Sequence, residues 1–148
     1  MKQILVTGGT GYIGSHICLL LLERGYKVII LDSFINSSPK IGQKILEIKN
    51  ISNKSGKPPL DIIKCDLRDE ISLKHVFKKY TLDSSQIEAV IHLAGLKAVE
   101  ESIKEPLKYW DHNLKGTINL LNIMSQFGCQ KIVFSSSATI YGDQKNKY

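Results

Sequence analysis

The sequence predicts an α/β fold, a doubly wound parallel sheet of about five strands with helices on both faces. Two observations carry that expectation. Short apolar runs bounded by glycine, proline or acidic residues alternate along the chain with longer segments whose apolar residues recur at helical spacing. The first run, Ile4-Leu5-Val6, passes through Thr7-Gly-Gly-Thr-Gly-Tyr-Ile-Gly14 straight into such a segment, the pattern of a buried strand, a tight turn and a helix start.

Taken in order, Ile4 to Val6 is the first strand and Tyr12 to Arg24 the first helix. Ile13, Ile17, Leu20 and Leu21 lie at helical spacing in it, and Gly25 stops it. Lys27 to Leu31 is the second strand and ends in Asp32, with Ser33 to Pro39 a polar loop after it. Ile41, Ile45, Leu46, Ile48 and Ile51 form the next helical stripe, and the polar stretch Asn53 to Pro59 is a surface connection. Leu60 to Lys64 is the third strand, running into Cys65-Asp66-Leu67-Arg68. Glu70 to Tyr80 then forms a helix with Ile71, Val76 and Phe77 inward. Ala89 to Leu93 is the fourth strand and ends in Ala94-Gly95-Leu96. A long helix begins at about Pro106, where proline suits the first turn, and runs to Phe127 before Gly128. Lys131 to Phe134 is the fifth strand, followed by Ser135-Ser136-Ser137.

A chain of 148 residues is the size of one domain and long enough to bury a core. The net charge of +6 is spread over scattered lysines, with no basic helix, aromatic sheet face or zinc spacing. It fits anionic small ligands better than nucleic acid. Cys18, Cys65 and Cys129 are odd in number, far apart and mostly within apolar segments, so they read as reduced core cysteines of a cytoplasmic protein. His16, His75, His92 and His112 lack metal-ligand spacing and read as packing or surface residues, so no metal is expected. No apolar run reaches signal-peptide or membrane-span length, and the first strand starts at the third residue, so no membrane partner is expected.

In an open parallel sheet, ligands bind beyond the carboxyl ends of the strands. The segments there are Gly8 to Gly14, Asp32 to Ser37, Asp66-Leu67, Leu93 to Lys97 and Ser135 to Thr139, and these are the stretches of small or polar composition. The glycines fit Gly9-x-Gly11-x-x-Gly14 and Gly8-x-x-Gly11-x-x-Gly14 equally. A strand-to-helix turn needs glycine whether or not anything binds. With a diphosphate there, the free N–H groups and positive end of the helix would hold it. Asp32 stands where an acidic residue accepts hydrogen bonds from a ribose 2′-hydroxyl and repels a 2′-phosphate, which favours NAD over NADP. Its alternative is a solvated strand-end aspartate.

Thr7-Gly-Gly-Thr-Gly-Tyr-Ile-Gly-Ser-His16, His92-Leu-Ala-Gly-Leu-Lys-Ala-Val99 and Phe134-Ser-Ser-Ser-Ala-Thr-Ile-Tyr-Gly-Asp143 together resemble the UDP-glucose 4-epimerase family. That family is a branch of the extended short-chain dehydrogenase/reductases, and the resemblance holds in register over the whole chain. It implies a Rossmann-like NAD-binding protein acting in galactose metabolism on UDP-glucose and UDP-galactose, by hydride removal and return at C4, with a homodimer as the intact enzyme. It further implies that Gly8, Gly11, Tyr12, Ile13 and Gly14 hold the pyrophosphate, that Asp32, Ser33, Asn36 and Ser37 serve the adenosine ribose and its phosphate, and that Asp66 and Leu67 contact adenine. Leu93, Ala94, Gly95 and Lys97 would line the nicotinamide side, with Asn113 and Ser135 also on the cofactor. Lys97 would donate to ribose hydroxyls and face the substrate. Ser137 would be the catalytic serine on the sugar 4-hydroxyl, with Ala138 and Thr139 beside the substrate.

Three departures from the family pattern stand out. Glu100 replaces the glycine after Lys-Ala-Val, and His112 replaces the first of two asparagines. The chain also ends at Tyr148, ahead of the family's Tyr-x-x-x-Lys pair, so residues 1–148 are expected to be an incomplete NAD-binding domain with the later strands and the substrate domain absent. Tyr141 and Lys145 match that spacing, but Gly142 and Asp143 between them argue against one helix face. Such a piece is expected to be inactive alone. A non-catalytic nucleotide-binding domain and another nucleotide-sugar epimerase or dehydratase are the alternatives.

Overall fold

The computed structural model describes residues 2–49, 59–82 and 86–137. Its strands are β1 Gln3–Thr7, β2 Lys27–Asp32, β3 Leu60–Lys64, β4 Ile87–His92 and β5 Ile132–Phe134. They form one sheet in the order β3-β2-β1-β4-β5, with every pairing parallel. The order reverses at β1, so the first turn opens at the switch point of the sheet. The expected doubly wound architecture is borne out.

Helices α1 Tyr12–Glu23 and α2 Lys40–Ile48 precede α3 Glu70–Leu82. Next come α4 Val99–Lys104, α5 Pro106–Tyr109, a π-helical turn at Trp110–Lys115, and α6 Gly116–Gln126. Successive strand residues point to opposite faces, so the central strands feed two cores. Ile4, Val6, Val28 and Ile30 pack with Cys18 of α1 and Ile45 of α2. Leu5, Ile29 and Leu31 pack with Leu73, Phe77 and Tyr80 of α3 and Leu120 and Ile123 of α6. Each such aliphatic side chain contributes about 1.5–3 kcal/mol on burial.

Four expectations need correction. Ile71 is exposed, and the inward stripe of α3 is Leu73, Val76, Phe77 and Tyr80, a full i, i+3, i+4, i+7 set. In α1 the bulky Ile13 and Leu20 face outward, while Gly14 and Cys18 are buried. Close approach decides this: a Cβ on Gly14 would stand 2.2 Å from the Gly8 carbonyl oxygen, so the helix seats its smallest residue on the turn. Ile48 is exposed, so the α2 stripe is carried by Ile41, Ile45 and Leu46, and Ile51 lies outside the described residues.

The long helix from Pro106 is interrupted, and a short helix precedes it. The α4 segment has Glu100 and Glu101 in its first turn and Lys104 in its last, the arrangement that suits the helix dipole. Pro106 then starts α5. From the first turn of α6, the Thr117 hydroxyl donates to the Asn113 carbonyl of the π turn at 2.6 Å, a back-bond of the kind that bends helices. The surviving apolar stripe of α6 covers the sheet face shared with α3.

Candidate functional site

The turn after β1 places its glycines in distinct roles. Gly8 has φ +67°, the left-handed region, and a Cβ there would lie 2.8 Å from the Ala94 nitrogen. Gly9 leaves room for Ile30, whose side chain is 2.9 Å from its ideal Cβ position. Gly11 differs, since a Cβ would meet only the Gly8 carbonyl oxygen, at 3.2 Å. Gly8 and Gly11 both line the cavity above the sheet, and Gly9 does not. Gly11 is also the N-cap of α1, with no side-chain cap and no acidic residue in the first turn. Tyr12 and Ile13 of that turn are exposed, so the helix start offers backbone donors and its positive end to an anion.

At the end of β2, Asp32 is buried beside the cavity. Its Oδ2 accepts the Thr10 N–H at 3.2 Å and the Thr10 hydroxyl at 2.6 Å. Its Oδ1 accepts the Phe34 N–H and the Ser37 hydroxyl, each at 2.9 Å. Phe34 takes φ 60° to make this turn, uncommon for a residue with a Cβ. Ser37 therefore braces Asp32, while Ser33 and Asn36 line the cavity. The alternative of a solvated aspartate is not what the fold builds.

At the end of β3, Asp66 and Leu67 form the next stretch of wall. The Arg68 guanidinium grips both Asp66 oxygens and reaches Asp111 of the π turn at 2.7 Å. This pairing holds the Asp66 carboxyl below its usual range. Asn119 donates to the Leu67 and Arg68 carbonyls, and Gly116 lets α6 close on Leu67. His112 lines the cavity too; its Nδ1–H donates to the Lys108 carbonyl at 2.8 Å, and its buried Nε2 has no partner among the described residues. Burial and the nearby Asp69 and Asp66 push the Cys65 thiol up to about 11, so it stays protonated.

At the end of β4, Leu93, Ala94, Gly95 and Lys97 complete the wall, with Leu96 between them. Thr7 Oγ1 accepts the N–H groups of Leu93 and Ala94, at 3.1 and 3.2 Å. Asn113 holds both backbone groups of Leu96, accepting its N–H at 2.8 Å and donating to its carbonyl at 2.9 Å. Asn113 thus fixes the 93–97 loop. Beyond β5, the Ser135 N–H donates to the His92 carbonyl, and Ser137 is exposed at the end of the described segment. Ala138 and Thr139 lie outside the described residues.

Sequence reasoning missed Thr7, Thr10, His112 and the π turn. The one signal for His112 was its departure from the family's asparagine, and the hydroxyls of Thr7 and Thr10 look like ordinary strand and turn residues until the fold pairs them. Among the described residues, no group of three or more His, Cys, Asp or Glu could hold a metal ion, and no helix is long and apolar enough to cross a membrane.

Comparison with known proteins agrees with this architecture. The family model for GDP-mannose 4,6 dehydratase matches residues 5–148. The chain is 49% identical over 142 residues to UDP-glucose 4-epimerase 1 of Oryza sativa subsp. japonica, covering 96% of this chain but 38% of that relative. It is 46% identical to a UDP-glucose 4-epimerase of Klebsiella pneumoniae, covering 96% of this chain and 94% of the relative. Among solved structures, the UDP-glucose-4-epimerase of Stenotrophomonas maltophila with bound NAD and formylated UDP-arabinopyranose superposes with a TM-score of 0.85 at 40% identity, covering 99% of this chain and 40% of that one. The Bifidobacterium longum UDP-glucose 4-epimerase in complex with NAD+ and UDP gives the same TM-score and identity, over 98% of this chain and 40% of that one. The chain has a Rossmann-like fold and belongs to the family described by the GDP-mannose 4,6 dehydratase model and, within it, to the UDP-glucose 4-epimerases of the extended short-chain dehydrogenase/reductases.

Proposed function

We propose that this chain binds NAD and forms the cofactor-holding part of an enzyme that interconverts UDP-galactose and UDP-glucose in galactose metabolism. The observation that carries the reading is one cleft gathering Gly8, Gly11, Asp32, Asp66 and the 93–97 loop from the ends of four strands. The residues suit a dinucleotide. An uncapped helix start faces the space a diphosphate needs, and Gly11 has no side chain to fill it.

Asp32 accepts a ribose hydroxyl by exchanging the Ser37 or Thr10 hydroxyl for it, because both carboxylate oxygens already carry two donors. The same charge repels a 2′-phosphate. Asp66 and Leu67 flank adenine, Lys97 donates to a ribose hydroxyl, and Ser135 and Ser137 approach the reacting end, with Ser137 hydrogen-bonded to the sugar hydroxyl. NAD supplies hydride acceptance and return at C4. Proton removal from that hydroxyl needs a base near neutral pH, and a phenol, at about 10 unperturbed, reaches it only beside cations. No tyrosine lines the cleft among the described residues, and the chain spans about 40% of the solved epimerases it matches, which supports reading residues 1–148 as the NAD-binding domain of a larger catalytic unit.

Calorimetric titration tests the cofactor. NAD and ADP-ribose bind, NADP binds more weakly, and Gly11→Val abolishes binding; equal affinity for NADP would refute the role of Asp32. In the intact gene product, Ser137→Ala should remove epimerisation, and full turnover by that variant would refute the serine's role.

A homodimer is part of the same reading. Leu107, Trp110, Leu114, Ile118 and Leu121 recur every three or four residues and leave an exposed apolar stripe along α5, the π turn and α6. Sedimentation should report a dimer that Trp110→Glu dissociates, and a monomeric wild type would end that part. Buried free Cys18, Cys65 and Cys129 support a reducing, cytoplasmic setting, and the scattered lysines argue against nucleic acid as partner.

A further inference from the structure

His92 is buried at the end of β4, and neither the glycine turn nor the cleft wall accounts for it. Its surroundings fix its tautomer. Thr7 Oγ1 already accepts the N–H groups of Leu93 and Ala94, so its own proton goes to His92 Nδ1, 2.7 Å away. The ring proton therefore sits on Nε2, facing Thr117 Oγ1 at 2.8 Å. The Thr117 hydroxyl in turn donates to the Asn113 carbonyl, and the Asn113 side chain clamps Leu96. Burial lowers the His92 pKa to about 4, so the ring is neutral and can accept on one nitrogen while donating from the other.

The 93–97 loop is thus held twice, by Thr7 at Leu93 and Ala94 and by Asn113 at Leu96, and the His92 ring joins the two clamps. The same residue reaches toward the serine run: its carbonyl accepts the Ser135 N–H, and its ring packs on Phe134 with centroids 5.4 Å apart. A core histidine needing only satisfaction would require no such path between two ligand loops.

Resting on the proposed NAD-binding reading, we infer that His92 is a positioning residue that registers the nicotinamide-side loop against the π turn through Thr7 and Thr117. It touches neither cofactor nor substrate. It acts on the half of the dinucleotide beyond the diphosphate and leaves the adenosine half alone.

The test compares NAD with ADP-ribose, which lacks nicotinamide, by calorimetry on the intact protein. His92→Phe keeps a ring and removes both nitrogens, and Thr117→Val removes the relay hydroxyl with little change in shape. Each should weaken NAD about tenfold, the effect of one lost buried hydrogen bond, and leave ADP-ribose within about twofold. Thr117→Ser should restore NAD affinity, and the double variant should lose no more than one single variant does. If His92→Phe does not fold, the Thr117 pair carries the comparison. Equal losses for both ligands, or unchanged NAD affinity in Thr117→Val, overturn the assignment to His92. A wild type that binds neither ligand overturns the NAD reading itself and this inference with it.

Discussion

β1 and β5 are both short apolar strands in one sheet, yet all of β1 is buried and all of β5 is exposed. Their residues do not explain the contrast, since Ile-Leu-Val and Ile-Val-Phe are equally suited to a covered strand. Neighbours do. β1 lies between β2 and β4 and feeds a core on each face, whereas β5 pairs only with β4 among the described residues. The molecule is closed around the glycine turn and open where the serine run begins. The end that would hold a dinucleotide's phosphates is built from local elements, and the end beside the serine run is left uncovered by the described residues.

Leu5→Ala should break the contrast most strongly, costing about 2–5 kcal/mol by emptying a fully enclosed site, as read from urea unfolding. Acid should act next, through the strand that lies between the two. Below its ordinary value of 6.5, His92 is protonated in the unfolded chain but stays neutral in the folded one until about 4. The unfolded state therefore binds the extra proton across that window. Stability should fall as pH drops from 6.5 toward 4, by up to about 1.4 kcal/mol per pH unit from this group. His92→Phe should flatten that slope, measured as unfolding midpoints across the window; an unchanged slope would mean other groups govern it. Val133→Ser should have the smallest effect, within about 0.5 kcal/mol, because its side chain leaves water for little. A loss as large as that of Leu5→Ala would show that β5 is covered in solution.

What the sequence made legible follows the same division. β1, its turn and the strand-end segments are written in nearby residues, since glycine and a compact apolar run act locally. Ile13, Leu20 and Ile71 went astray because periodicity counts apolar residues and cannot see that Gly14 sets the seating of α1 or that Leu73 and Tyr80 outrank Ile71 in α3. The six residues of α4 are too few for a periodic signal. Asn113 was expected on the cofactor, and the fold also gives its side chain to Leu96, a clamp between residues 17 apart that is invisible in the sequence alone. Thr7 and His92 were hidden for the same reason.

The π turn at Trp110–Lys115 has a consequence for how this chain can vary. Such a turn spends more residues per revolution than an α-helix does, so the length of the segment dictates the rotational setting of everything after it. Removing one residue there would leave α6 intact as a helix yet spin it by about 100° about its own axis, carrying Gly116 off Leu67 and Leu120 and Ile123 out toward water. A substitution here acts only through its own contacts, as at Asn113 or Asp111, whereas a gain or loss of one position resets all of α6 at once. It is a keyway, and its residue count sets how α6 is seated.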